Sequence, residues 1–547
     1  MSLALDTERD RRAALASLVD SVVAEIEPLY LRLNHAVWDA NLTGAPEHER
    51  ESARLEAELR GVFARAAPYA RLTAIEAAGG VDDPLLERQR ELLRNAFRAN
   101  QLPPETIAHI VRLEKGLESR FNTFRATLDG ERVGDNALRQ VLRESDDGAR
   151  RRRAWEASKQ IGAEVAADLL ALVRLRNQAA RTLGFTDHYA MALELKDELT
   201  EPQLFSWLDE IEAGTRAPFQ LYKRALDERL RQRFAITTAE LRPWHYGDPF
   251  FQEAPAPAVR LDPWFEGKSL EDLTRRFFAA VGFDLDDLLA RADLYEKPGK
   301  CQHAFCMSID RGADVRVLCN VRPDEYWMGT LLHEFGHAVY DRHIDPSLPF
   351  LLREPAHVLT TEATAMLFGR LSKNAAWLRR YAGMPAEEAG RAAAASQRAI
   401  ADQLLVQTRW TLVMAHMERA LYRDPSQDLN HLWWDLVERF QGVHRPEHRD
   451  APDWAAKIHF SVAPVYYHNY LLGEVMASQL QRALLGVVGG EGDQRWERLV
   501  ASPEVGRYLS ARLFGSGRSL AWPESVRRAT GEELSPAAFL DELSGRG

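Results

Sequence analysis

The stretch Leu331-Leu332-His333-Glu334-Phe335-Gly336-His337-Ala338-Val339-Tyr340 contains the pattern H-E-x-x-H. On a helix, residues i and i+4 stand one above the other on the same face. His333 and His337 can therefore offer two ring nitrogens to one tetrahedral zinc ion, one per chain. Glu334 follows the first ligand and can act as general base on a water held there. From Tyr326 to Tyr340 there is no proline, and Met328, Leu331, Leu332, Phe335 and Val339 recur at helical spacing, which predicts a buried helix.

A third ligand has to come from elsewhere. His343 lies six residues past His337, but position 340 is tyrosine, with no glycine to break the helix. A continuing helix turns residue 343 about 240° away from the metal face. His343 is read as a surface residue at the helix C-terminus, where a cation is favoured. Glu362 is the preferred ligand. It sits in Thr360-Thr361-Glu362-Ala363-Thr364-Ala365, a second helical segment beyond a loop holding Pro346, Pro349 and Pro355. Glu354, in that loop, is the alternative. Two histidines and a glutamate leave a fourth position open, as in a catalytic zinc site.

Upstream, Ala304–Asp310 and Val315–Asn320, joined at Arg311-Gly312, form the best strand pair in the chain and run directly into the metal helix. Residues 1 to about 236 read as helix after helix. Apolar stripes run at Leu18, Val22, Val23, Ile26 and Leu29, and at Ala166, Leu169, Leu170, Leu172 and Val173. Breaks fall at Gly79-Gly80, Pro103-Pro104 and Gly184, and the proline-rich, aromatic stretch 240–264 reads as an ordered loop. After Glu362 the pattern is helical again. The fold class is mainly α, with one small β-hairpin beside the zinc helix.

The 547 residues are 46% hydrophobic and 28% charged, with a net charge of −11, which argues against a general nucleic-acid binder. The run Arg150–Arg153 is read as a solvated helix face. No stretch approaches 18 apolar residues, so no membrane span is expected. Charges interrupt the only apolar stretch near the N-terminus, and there are only three cysteines. A cytoplasmic protein is expected.

A second constellation follows late in the chain: Lys457, His459, Tyr467 and Tyr470. Besides its metal, a peptidase needs neutral donors for the oxyanion of the tetrahedral intermediate, and histidine and tyrosine suit that role.

These residues carry a resemblance. Ala154-Trp155-Glu156-Ala157, Lys297-Pro298, His303-Ala304 thirty residues ahead of His333, Trp433-Trp434, Phe440-Gln441-Gly442 and Lys457-x-His459 recur in order. So ordered, the chain resembles the angiotensin-converting-enzyme family of zinc peptidyl-dipeptidases, and more distantly the thimet oligopeptidase and oligoendopeptidase F group. The likeness covers roughly 145–480.

The resemblance implies two helical lobes enclosing a deep channel, with residues 1–140 as a helical lid or lobe continuous with the catalytic region 141–547. It implies that His333, His337 and Glu362 hold zinc and that Glu334 is base and acid. His303 and Ala304 would bind substrate backbone, Lys457 and Tyr467 the peptide's C-terminal carboxylate, and His459 and Tyr470 the oxyanion.

The chain also departs from the pattern. Seven residues, against six in the family, separate His459 from Tyr467. Asn469 and Val437 replace two chloride-site arginines, which argues against chloride activation. The carboxylate-binding glutamine expected near Trp244–Gly247 is absent there. The interval of 25 from His337 to Glu362 fits the thimet group. Cys301 and Cys319 stand one residue off a family disulfide pair and are expected as free thiols.

The expected function is release of C-terminal dipeptides from short peptides. The rivals are an endo-acting oligopeptidase and, outside the enzymes, a non-catalytic peptide-binding protein.

Overall fold

The computed structural model describes residues 5–255 and 260–544. The protein is mainly helical, and its only strands among the described residues form two two-stranded antiparallel sheets. The chain divides into two compact units. One holds Met1–Gln101, Ala258–Gln397 and Leu472–Phe539; the other holds Leu102–Pro257, Arg398–Leu471 and Leu540–Gly547.

The first unit opens with α1 (Glu8–Thr43), α2 (Pro46–Phe63), α3 (Ala66–Ala77) and α4 (Pro84–Ala99). The buried stripe of α1 is Leu15, Val19, Val22, Ile26 and Leu29. Leu18 and Val23, assigned to that stripe from sequence, flank it and are only partly buried. The stripe packs with Leu55, Leu59, Leu72, Ile75, Leu93 and Phe97. The breaks at Gly79-Gly80 and Pro103-Pro104 fall where α3 ends and α5 (Pro104–Thr123) begins.

The second unit departs from a pure succession of helices. β1 (Ala126–Leu128) and β2 (Glu131–Val133) form a hairpin after α5. Its turn is Asp129-Gly130, with φ of 52° and 88°, the left-handed pair that tight hairpins favour. After α6 (Asp135–Glu144), Asp147 caps α7 (Gly148–Thr182) through the N–H groups of Ala149 and Arg150. The arginine run at its start is not uniformly solvated. Arg150, Arg152 and Arg153 are exposed, but Arg151 is fully buried and donates to the carbonyls of Trp244 at 2.7 Å and His245 at 3.1 Å. It ties the 240–250 loop to α7. Helices α8 (His188–Lys196) and α9 (Glu201–Phe234) complete the first part of this unit.

Returning to the first unit, α10 (Leu270–Ala280) and α11 (Asp286–Arg291) precede the second hairpin, β3 (Phe305–Ser308) and β4 (Val315–Leu318). Its register pairs Phe305 with Leu318 and Ser308 with Val315. The outer side of β4 is taken by Asp293, whose N–H donates to Val317 and whose carbonyl accepts from Cys319. The buried ammonium of Lys300 clamps this corner, bonding Asp293 and the carbonyl of Tyr295. Trp38 of α1 packs edge-on against Phe305 at 6.0 Å. The three cysteines are free, Cys319 being fully buried.

The hairpin leads into α12 (Glu325–Arg342), capped by Asp324, and then α13 (Val358–Arg370). These two helices approach closely at Gly336, where a Cβ would stand 2.9 Å from the Cα of Ala365. His343 does end α12, but not as a surface cation. Its ring is half-buried against Phe283 at 4.9 Å and bonds the Val339 carbonyl, and burial lowers its pKa. Three more long helices follow, α14 (Ala386–Arg423), α15 (Leu429–Gln441) and α16 (His468–Val488). No helix among the described residues is long and apolar enough to cross a membrane.

Candidate metal centre and peptide-binding residues

The crossing of α12 and α13 brings together His333, His337 and Glu362. Glu362 Oε2 lies 3.8 Å from His333 Nε2 and 4.0 Å from His337 Nε2, and all three ligand atoms lie within 4.8 Å of one another. A tetrahedral zinc with bonds of about 2.0–2.2 Å spans edges of about 3.3–3.6 Å, so a small contraction closes the cluster on an ion. No other such group occurs among the described residues. Glu354, the alternative ligand, is engaged instead with Arg311 at 2.8 Å and Arg518 at 3.1 Å.

The donor set suits a metal. Burial lowers the His333 pKa to about 4, and burial with its neighbour His333 lowers that of His337 to about 3. Both rings are therefore neutral, the form that ligates. His337 Nδ1 is 2.7 Å from the hydroxyl of Thr361, which fixes the ring and leaves Nε2 toward Glu362. Such an outer hydrogen bond orients a metal-ligating imidazole. The backbone of Gly473 in α16 lies against Glu362, where a Cβ would meet that of Glu362 at 3.3 Å.

A cleft of about 400 Å³ opens on this cluster, lined by Ala304, Phe305, Cys306, His333, Glu334, His337, Asp341, Pro355, Thr361 and Glu362. Burial and the nearby Glu362 push the Glu334 carboxyl up to about 8. Burial and Glu474 push that of Glu362 up to about 7. Ala304, read from sequence as the first residue of the strand, and His303 before it both precede β3. Ala304 lines the cleft, whereas His303 is exposed and is not among the lining residues. With β4 flanked by Asp293, β3 is an edge strand on the cleft side.

A second cluster belongs to the other unit. Lys457 Nζ donates to Gln252 Oε1 at 2.7 Å and lies 5.7 Å from the centre of the Tyr467 ring. The rings of His459 and Tyr467 are 4.9 Å apart, and those of Tyr467 and Tyr470 are 5.3 Å apart. Trp410 Nε1 donates to the Tyr467 hydroxyl at 2.6 Å. All four side chains named from sequence thus share one contact network. Gln252 and Trp410 were missed. No glutamine lies at 244–247; Gln252, five positions beyond, is carried by a folded loop in which Asp248 accepts the N–H groups of Phe250 and Gln252.

Burial lowers the Lys457 pKa to about 8. Burial, then the charge of Lys457, lowers that of His459 to about 4. Tyr467 is raised by burial, so its hydroxyl keeps its proton. Tyr467 precedes α16 rather than lying inside it. The longer connector from His459 contains Val465, buried, with φ of 55°. Left-handed backbone is unfavourable for a β-branched residue. The buried carboxyl of Glu418 accepts the Val465 N–H at 2.8 Å and holds that conformation.

The sequence matches the family described as angiotensin-converting enzyme over residues 9–216 and 264–542. An angiotensin-converting enzyme of Theromyzon tessulatum is 24% identical over 286 residues, 50% of this chain and 45% of that protein. Carboxypeptidase 1 of Bacillus subtilis is 25% identical over 307 residues, 52% of this chain and 58% of its own length. A Caenorhabditis elegans protein named inactive angiotensin-converting enzyme-related protein is 22% identical over 313 residues, 54% and 34% respectively. The matched stretches thus span between a third and three fifths of these relatives.

Proposed function

The chain belongs to the angiotensin-converting enzyme family, and on that premise we propose that it is a zinc peptidase releasing dipeptides from the C-termini of short peptides. The observation that carries this reading is the convergence of three neutral or carboxylate ligand atoms within 4.8 Å, with Glu334 beside them in the same cleft.

Zinc held by His333, His337 and Glu362 supplies Lewis acidity for the scissile carbonyl and lowers the pKa of water. The chain's own residues do the rest. The edge of β3 ahead of Ser308, whose carbonyl accepts from Asn34, takes the extended peptide by strand addition, with Ala304 at its start; His303, exposed just before it, contributes backbone contact. Glu334 is the acceptor for the proton of the attacking water and returns it to the leaving amine. Lys457, with Gln252 and Tyr467, holds the C-terminal carboxylate of the peptide. His459, neutral, and Tyr470 donate to the developing oxyanion. Trp410 occupies the acceptor side of the Tyr467 hydroxyl, which leaves its proton free to donate.

Residues 1–140 as a lid remain part of this reading, supported by the packing of α1 on β3 through Trp38 and Phe305. So does a cytoplasmic setting, supported by the low cysteine count.

The test is metal analysis of purified protein with a chelator-reversible peptide digest read by mass spectrometry. Glu334→Gln should keep one zinc per chain and lose about 10²–10⁴-fold in turnover. Full activity in that variant would refute the assignment. An endo-acting oligopeptidase would cut C-terminally amidated peptides as fast as free acids. A non-catalytic binding protein has no use for Glu334, and it would release no products.

A further inference from the structure

The carboxyl groups lining the metal cleft are Glu334, Glu362 and Asp341, and no lysine or arginine lines it among the described residues. Glu362 and Glu334 have work in the proposed function, and a bound divalent ion would balance their two charges. Asp341 is left over. It lies one turn beyond His337 on α12, and its carboxyl makes no hydrogen bond or ion pair within the described chain, so no cation there neutralises it. Its neighbours are otherwise committed: Arg342 faces Asp287 at 4.0 Å, and Glu354 is held by Arg311 and Arg518. A half-buried carboxylate with no partner is unfavourable as an anion, so it either takes up a proton or is paired by an arriving cation. Burial, then the charge of Glu354, pushes the Asp341 carboxyl up to about 7, so a bound cation would complete its ionisation.

We propose that Asp341 is a specificity-determining residue, forming a subsite for a cationic group of the peptide, either a lysine or arginine side chain or the terminal ammonium. This rests on the peptidase reading above. It adds a substrate class: basic peptides, bound by charge on the wall of the cleft that Asp341 shares with Cys306.

The experiment uses the zinc-loaded full chain and a neutral heptapeptide. One lysine is moved through every position and compared with norleucine at the same position, with free and with acetylated N-termini. Lysine at one position, or a free N-terminus at one peptide length, should raise kcat/KM about tenfold or more. Comparing the two arms identifies which cation is bound. Asp341→Asn, and Asp341→Ser as a second variant, should bring the lysine-to-norleucine ratio to about one, and Asp341→Lys should favour glutamate at that position. Equal rates for lysine and norleucine throughout, with acetylation also without effect, overturn the subsite while leaving the peptidase reading intact. So does a cation preference that survives in Asp341→Asn. Cleavage of no peptide at all overturns both.

Discussion

Gly336 permits the contact that places Glu362, and Gly336→Ala tests how tightly the metal site depends on it. The added Cβ would stand 2.9 Å from Ala365 Cα and 3.2 Å from Phe368 Cδ2. Ordinary carbon contacts are about 3.5–4.0 Å, so α12 and α13 must part by roughly 0.5–1 Å. Overpacking costs about 1–3 kcal/mol, while alanine improves on glycine in a helix by about 1 kcal/mol. The metal-free protein should therefore lose only about 0–2 kcal/mol. Zinc should suffer more, because the ligand atoms already sit slightly wider than a tetrahedral edge and separation widens them further. We expect zinc affinity to fall about 10–100-fold, comparable to loss of an outer-shell contact. Competition with a fluorescent chelator measures the affinity, and urea unfolding of the metal-free protein measures the fold. Gly116→Ala is the control. Gly116 lies in α5 with nothing within 4 Å of its added Cβ, so zinc binding should not change. Wild-type zinc affinity in Gly336→Ala would show that the close approach does not set the ligand geometry.

Three further outcomes are expected. Thr361→Val removes the hydrogen bond to His337 Nδ1 and should weaken zinc about 10–100-fold by the same competition assay, with little change in fold stability. Lys457, with its pKa near 8, should carry the carboxylate-binding charge below that pH and lose it above. kcat/KM for free-acid peptides should then decline above about pH 8, and Lys457→Met should raise KM for free acids while sparing amidated peptides. Glu418 has a folded pKa raised by burial from 4.5 to about 8. Between those values the unfolded chain has released a proton that the folded chain keeps, so this group makes stability fall as pH rises. Glu418→Gln should remove about 1.4 kcal/mol per pH unit of slope in that window, measured by urea titration at several pH values.

Much of the site was legible because its residues carry local spacing. His333 and His337 are one helical turn apart, and Glu362 lies on the next long helix, so periodicity alone nearly assembles the metal cluster. The residues missed act over long range or through loops. Gln252 reaches Lys457 across 205 positions from a loop bent at Gly247 and Phe251, both with positive φ. Arg151 is buried because two carbonyls 93 and 94 residues away receive its guanidinium, which no charge pattern reports. The hairpin at Ala126–Val133 could have been found. Its Asp129-Gly130 pair is a strong turn signal, outweighed by the helical sequence on both sides. Thr361 stood next to Glu362 in plain view, but only the crossing of α12 and α13 turns its hydroxyl into a partner for His337.

Val465 shows how an unfavourable backbone turn can be held from a distant part of the chain. The left-handed residue turns the connector sharply two positions before Tyr467, whose ring lies 4.9 Å from that of His459. Glu418, 47 positions earlier, acts as the clasp on that turn. Deleting Val465 would shorten the connector by one residue and leave the clasp with nothing to hold.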